Sequence, residues 1–179
     1  QWNAEKFNIA LENISIGDDL YREGEYLRSI KQYREALDRL NTLQEEAAKI
    51  IESTIISANN NIEKLDSELT VERTIASINL ASAIDKNNES IKLLKERSLK
   101  LPDLFNKVMQ SDKLISEQKY EDAFSILSEA IILDPYRKKT KTSMENLNER
   151  IKEKTFIEFM SEGFEAMDQN NFSSARKVF

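Results

Sequence analysis

Two stretches of this sequence carry residue types at spacings that could do chemistry. From Asp85 to Glu96, oxygen-bearing side chains stand at the first, third, fifth and twelfth positions (Asp85, Asn87, Glu89, Glu96), the order in which a calcium-binding loop presents its ligands. Such a loop needs glycine at its sixth position for the sharp turn; Ser90 stands there, and Lys92 stands where an apolar residue is expected. The same residues make an ordinary turn and helix start, so no metal is expected. The second stretch, Tyr136-Arg137-Lys138-Lys139-Thr140-Lys141, is the one concentrated basic run. It opens a predicted helix, where the dipole disfavours each exposed positive charge by about 0.3 to 1 kcal/mol. Either Asp134 and Glu129 compensate it, or Arg137, Lys138, Lys139 and Lys141 form a patch for an acidic partner.

Other chemistry is thin. The chain has no His and no Cys, which removes the commonest general base, the commonest metal ligand and the thiol nucleophile together. Carboxylate pairs such as Asp18-Asp19 and Glu45-Glu46 lie on polar helix faces with Lys or Arg nearby, a solvated surface rather than an acid–base pair. Asn13-Ile-Ser15, Asn88-Glu-Ser90 and Asn171-Phe-Ser173 match the glycosylation triplet, on or beside helices in an Asn-rich chain where chance matches are expected. The expectation is a protein without catalysis, cofactor or metal.

The elements that position these residues are helices. With 40% hydrophobic and 32% charged residues but Gly 3 and Pro 2, the chain has the composition of a globular protein and too few breakers for a β-rich fold. Residues recur every three or four positions along mainly apolar stripes, as in Ile9, Asn13, Ile16, Leu20, where Asn13 is the polar member, and in Ile30, Tyr33, Leu37, Leu40. The pattern predicts an all-α chain with helices at about 2–22, 26–58, 60–85, 88–100, 103–117, 120–133, 136–168 and 172 onward. The break near Asn59-Asn60-Asn61 is the weakest, since Asn is only a mild helix breaker and the helix could run through it. No window approaches about 18 consecutive apolar residues, and no signal segment opens the chain, so a soluble chain without a transmembrane segment is expected. A net charge of -6 disfavours nucleic acid and favours protein partners. Gln1 without Met and Phe179 in mid-pattern suggest a fragment of a longer protein.

Sliding the sequence against itself exposes a recurring unit: a helix, a turn, an aromatic, then small and large residues at fixed offsets. It reads Gly24-Glu25-Tyr26 with Ser29, Tyr33 and Ala36; Gln118-Lys119-Tyr120 with Ala123, Leu127 and Ala130; and Asn170-Asn171-Phe172 with Ala175 and Phe179. Small residues let two helices approach closely while the aromatic fills the space between them.

On these residues the chain resembles the tetratricopeptide repeat family, over about two thirds of its length. Repeat-like units fall at about 10–43, 71–103, 104–137 and 156–179 of a single helical-repeat domain, the second lacking the aromatic and the last cut short. Tyr26 to Tyr120 spans 94 positions and Tyr120 to Phe172 spans 52, so the array is not uniform. Extra helix enters at about Thr42 to Thr70 and Arg137 to Thr155. The resemblance implies antiparallel helical hairpins, and a groove lined by Leu11, Ile14, Asp18, Tyr21 and Arg22 in the first unit. In the third it implies Phe105, Val108, Asp112, Ile115 and Ser116, and in the last Ile157, Met160, Phe164, Met167 and Asp168. These same residues would instead be core if the elongated helices fill the groove. The implied function is a non-catalytic interaction scaffold or adaptor that holds a protein or peptide. The alternative is a self-assembly or spacer module of a bacterial envelope protein, and likeness to tethered envelope arrays leans the location toward the periplasm. Self-association through the C-terminal end, around Phe164, Met167, Phe172, Val178 and Phe179, is expected.

Overall fold

Every long segment with the helical period is a helix in the computed structural model, which describes residues 2–178. The described residues form eight helices and no strand: α1 (Ala4–Arg22), α2 (Tyr26–Lys64), α3 (Glu68–Ile84), α4 (Glu89–Leu99), α5 (Leu101–Ser116), α6 (Tyr120–Leu133), α7 (Lys138–Asp168) and α8 (Phe172–Val178). None of them is long and apolar enough to cross a membrane. Phe179, assigned above to the last seam, lies outside the described residues.

The expected break at Asn59-Asn60-Asn61 is absent, and α2 runs through it for 39 residues. Asn59 turns its side-chain amide onto the Ile55 carbonyl at 2.9 Å, and Asn61 donates to Thr74 Oγ1 at 3.0 Å, so their polar groups are satisfied without leaving the helix. The chain turns later, where Leu65 takes a left-handed φ of 45° and Ser67 accepts the Thr70 N–H at 3.2 Å to cap α3. Pro102 sits in the first turn of α5, where a missing N–H is harmless.

The chain divides into two units, Gln1–Ile62 with Asp66–Leu99, and Glu63–Leu65 with Lys100–Phe179. In the first, α1 and the start of α2 form a hairpin, and α3 packs on α4. In the second, α5 packs on α6, α6 on α7, and α7 on α8.

Three hairpins close with the same turn. Gly24, Gln118 and Asn170 each take a left-handed φ, of 81°, 59° and 56°. The N–H of each reaches the carbonyl three residues back (Tyr21, Ile115, Met167), and the next N–H reaches five back (Leu20, Leu114, Ala166), at 2.8 to 3.1 Å. In each, a small residue lies nine positions before the aromatic and another three after it: Gly17 and Ser29, Ser111 and Ala123, Gly163 and Ala175, all buried. The aromatics themselves, Tyr26, Tyr120 and Phe172, sit at the lip of the seam, exposed or half-buried. In the first hairpin, the Tyr33 ring lies so close to Gly17 that a Cβ there would be 2.7 Å from its Cε1, and Ser29 Oγ donates to the Gly17 carbonyl at 2.8 Å. The small residues are therefore the points of closest approach, and large ones flank them. The stripe Ile30, Tyr33, Leu37 is displaced accordingly: Ile30 and Leu37 are exposed, while Ser29 and Ala36 are buried.

The α3–α4 turn differs. Asp85 Oδ1 accepts from the Asn87 N–H at 2.9 Å, and Asn88 Oδ1 from the Ile91 N–H at 3.2 Å, which makes the 85–96 stretch a side-chain-capped turn into α4.

The core of the second unit is Ala123, Leu127 and Leu147, with Tyr120, Phe124 and Met144 packed around it. Ala130, with no exposed surface, lies on the same α6. Ala130→Leu is expected to destabilise by about 1 to 3 kcal/mol through overpacking, read as a shift in urea midpoint. A neutral substitution would mean that the seam has room the packing does not show.

Candidate functional site

In the first unit, the groove set splits by exposure. Leu11 and Tyr21 are exposed, at 46% and 59%, and Ile14 is half-buried. Asp18 accepts a hydrogen bond from Tyr33 Oη at 2.6 Å, which raises the phenol's pKa because the bond and the adjacent carboxylate both oppose its ionisation. Arg22 pairs with Asp19 at 3.0 Å, and Tyr21 meets Tyr26 edge-on with ring centres 5.3 Å apart. At the other end of the α1–α2 hairpin, Trp2, Phe7, Leu40, Leu43, Ala47 and Ile84 line an open apolar cleft of ≈ 290 Å³.

In the second unit, two members of the α5 set hold the fold. Val108 is buried and Ile115 packs against the Ala123–Leu127–Leu147 core, because the apolar stripe of α5 is the one that meets α6. Phe105 is half-buried, while Asp112 and Ser116 are exposed, and the Ser116 hydroxyl bonds back to the Lys113 carbonyl at 2.6 Å.

The basic run also divides. Arg137 is 1% exposed, so it belongs to the interior rather than to a surface patch. Its guanidinium donates to Thr140 Oγ1 at 2.7 Å and to the Glu63 carbonyl at 2.9 Å. Burial lowers its pKa from the ordinary value, and the nearby Glu63, Asp112 and Asp134 act in the opposite direction. The Glu63 carboxylate accepts the Lys138 and Lys139 N–H groups, both at 3.0 Å, and so caps α7 at the point where the dipole opposes the basic run. Of the two acids expected to compensate the run, Asp134 is present at this corner, but Glu129 pairs with Lys107 instead. Lys138, Lys139 and Lys141 are exposed. Glu63 lies 75 residues from Lys138 in sequence, and no local pattern points to it.

The last set is the most open. Ile157, Phe164 and Met167 are 44 to 56% exposed, Met160 is half-buried, and Asp168 ends the helix. Phe156, Phe159 and Phe172 join them at 53 to 63%; Phe159 lies off the face of α7 that the repeat alignment selects, and Phe156 lies one position before its first groove residue, Ile157. Next to this segment Tyr120, Arg150, Glu153, Lys154, Ile157 and Glu158 line an open cleft of ≈ 580 Å³, in which Lys154 lies 3.7 Å from Glu121 and 3.9 Å from Glu158. Among the described residues no three His, Cys, Asp or Glu side chains converge as a metal site. The arrangement offers apolar contact area edged by charge. Among known proteins, no family model, curated protein or solved structure matches the chain.

Proposed function

We infer that the chain is a non-catalytic interaction scaffold built on tetratricopeptide-like hairpins. The observation that carries this reading is the threefold recurrence of one hairpin: the same left-handed turn residue, and the same pair of buried small residues twelve positions apart (17 and 29, 111 and 123, 163 and 175). Repeats of this kind spend their small residues on seams between helices and leave large apolar side chains at the surface, as Leu11 and Tyr21 on α1 and Phe159 and Phe164 on α7 are left. The α3–α4 hairpin, with exposed Ser90 at the matching offset and a different turn, stands outside the repeat.

A photo-crosslinking amino acid placed singly at Leu11, Tyr21, Phe105 and Phe159 tests this in the native host. At least one position is expected to capture a discrete protein, absent from a control at Lys49 on an exposed stretch of α2. Capture at no position would remove the scaffold reading. The length of α2 and α7, 39 and 31 residues, favours as second reading a spacer that pairs with its own copies; crosslinks joining only copies of this chain would select it.

A further inference from the structure

We propose that the α1–α2 hairpin pairs, through one apolar face, with the same hairpin of a second copy of this chain, making a four-helix bundle between protomers. The inference goes beyond the scaffold reading and does not rest on it. Its basis is the spacing of the large residues beside the seam. Phe7, Leu11, Ile14, Asp18 and Tyr21 on α1 stand four and three residues apart in alternation, and so do Tyr26, Ile30, Tyr33, Leu37 and Leu40 on α2. That alternation is the heptad spacing of helices that pack knobs into holes. Both stripes lie on one side of the hairpin: Tyr21 meets Tyr26 edge-on, Tyr33 Oη donates to Asp18, and Phe7 lines a cleft with Leu40. On the other side α2 is polar, with Glu46 taking Lys6 at 2.7 Å and Arg39 and Thr42 standing beside Lys6. The seam itself is filled by Ala10, Gly17, Ser29 and Ala36, all buried. The stripes are left over, and six of their large apolar side chains are 38 to 59% exposed.

What covers this face must be two helices wide. The 19 residues of α1 run about 28 Å at about 1.5 Å per residue, and two helices side by side are about 20 Å across. A single helix laid on the face leaves one stripe open, whereas a hairpin covers both. Two copies face to face would bury together more than about 1,000 Å², the area that a specific interface needs. Charge selects no other occupant. Of the ten stripe positions only Asp18 is charged, and its carboxylate already holds the Tyr33 hydroxyl at 2.6 Å. A charged peptide or a nucleic acid finds nothing here to pair with, and a second copy meets no concentration of like charge. A two-fold axis sets heptad stripes against heptad stripes, the self-complementary contact by which homodimers form, and four helices then share one core.

Sedimentation equilibrium of the full chain tests the proposal and is expected to show a monomer–dimer equilibrium. Leu11→Glu with Leu37→Glu, at exposed positions that leave the seam untouched, should weaken it by about a hundredfold, because each places a charge in the shared core. Phe159→Ser with Phe172→Ser, in the second unit, should leave it unchanged. Circular dichroism checks that both variants keep their helices. A second measurement does not depend on the variants folding: a photo-crosslinking amino acid at Leu37 of the purified chain should bond to α1 or α2 of another copy, and one at Glu12, on the solvent side of α1, should not. A strictly monomeric chain, association that survives the Leu11/Leu37 change, or association lost in the Phe159/Phe172 variant instead overturns the proposal. The scaffold reading is decided separately. Dimerisation with no other protein captured at Phe105 or Phe159 removes the scaffold and keeps the bundle, and capture there by a monomeric chain does the reverse.

Discussion

Glu63→Ala is expected to destabilise the second unit by about 1 to 2 kcal/mol, the range for removing a side chain that caps a helix N-terminus. The size follows from what the side chain serves. Arg137 is among the largest fully buried side chains, and it retains a charge that burial penalises. With the Glu63 carboxylate gone, that charge keeps Asp134 and Asp112 as its remaining acids, and two N–H groups at the start of α7 lose their acceptor. Loss of an N-terminal cap alone is worth about 1 kcal/mol. Arg137→Met should cost more than Glu63→Ala, because it takes the guanidinium away from the buried Asp134 carboxylate, the Thr140 hydroxyl and the Glu63 carbonyl. The double variant should then cost clearly less than the sum of the two, read by urea unfolding. A Glu63→Ala change below about 0.5 kcal/mol, or strict additivity, would show that solvent rather than Glu63 carries the Arg137 charge.

The contrast between this corner and the hairpins explains what the sequence made legible. Helix class, seven of the eight helix starts to within two residues, and the three aromatic-plus-small motifs are local: each depends on a 3.6-residue period or a turn within one hairpin. Ser111 is equally legible, standing nine positions before Tyr120 as Gly17 stands before Tyr26, though a serine does not mark a seam by its type as a glycine does. The Asn59–Asn61 error arose because a mild propensity was set against a helix whose length is fixed by tertiary packing, with Asn61 bonded to Thr74. The α1 stripe Ile9, Asn13, Ile16, Leu20 misses the buried Ala10 and Gly17 for a related reason, since hydrophobicity scales weight bulk and a seam is set by smallness. Glu63 was out of reach altogether. An acidic residue near the end of a long amphipathic helix looks like surface until the chain brings it back to α7, 75 residues on. Of the groove residues, Leu11, Tyr21, Ile157, Phe164 and Met167 were placed on open faces, whereas Val108 and Ile115 went to the core because α5 has one apolar stripe and α6 takes it.

The seam itself gives the last test, at Gly17. An alanine there gains about 1 kcal/mol of helix propensity, because glycine is the least favourable ordinary residue in a helix interior. Against this, its Cβ would lie 2.7 Å from Tyr33 Cε1 and 2.9 Å from Cδ1. The ring cannot swing away without breaking the 2.6 Å bond from Tyr33 Oη to Asp18, and α2 cannot retreat without stretching the 2.8 Å bond from Ser29 Oγ to the Gly17 carbonyl. Gly17→Ala should therefore be net destabilising by about 1 kcal/mol, and Gly17→Leu, whose branch collides as well, by about 3 kcal/mol. The decisive step removes the ring. In a Tyr33→Ala background the collision is gone and only propensity remains, so Gly17→Ala should reverse sign and stabilise by about 1 kcal/mol. Urea unfolding of the four chains in that cycle reads the coupling directly. If Gly17→Ala has the same effect with and without the Tyr33 ring, the small residue at this seam is not there to admit it.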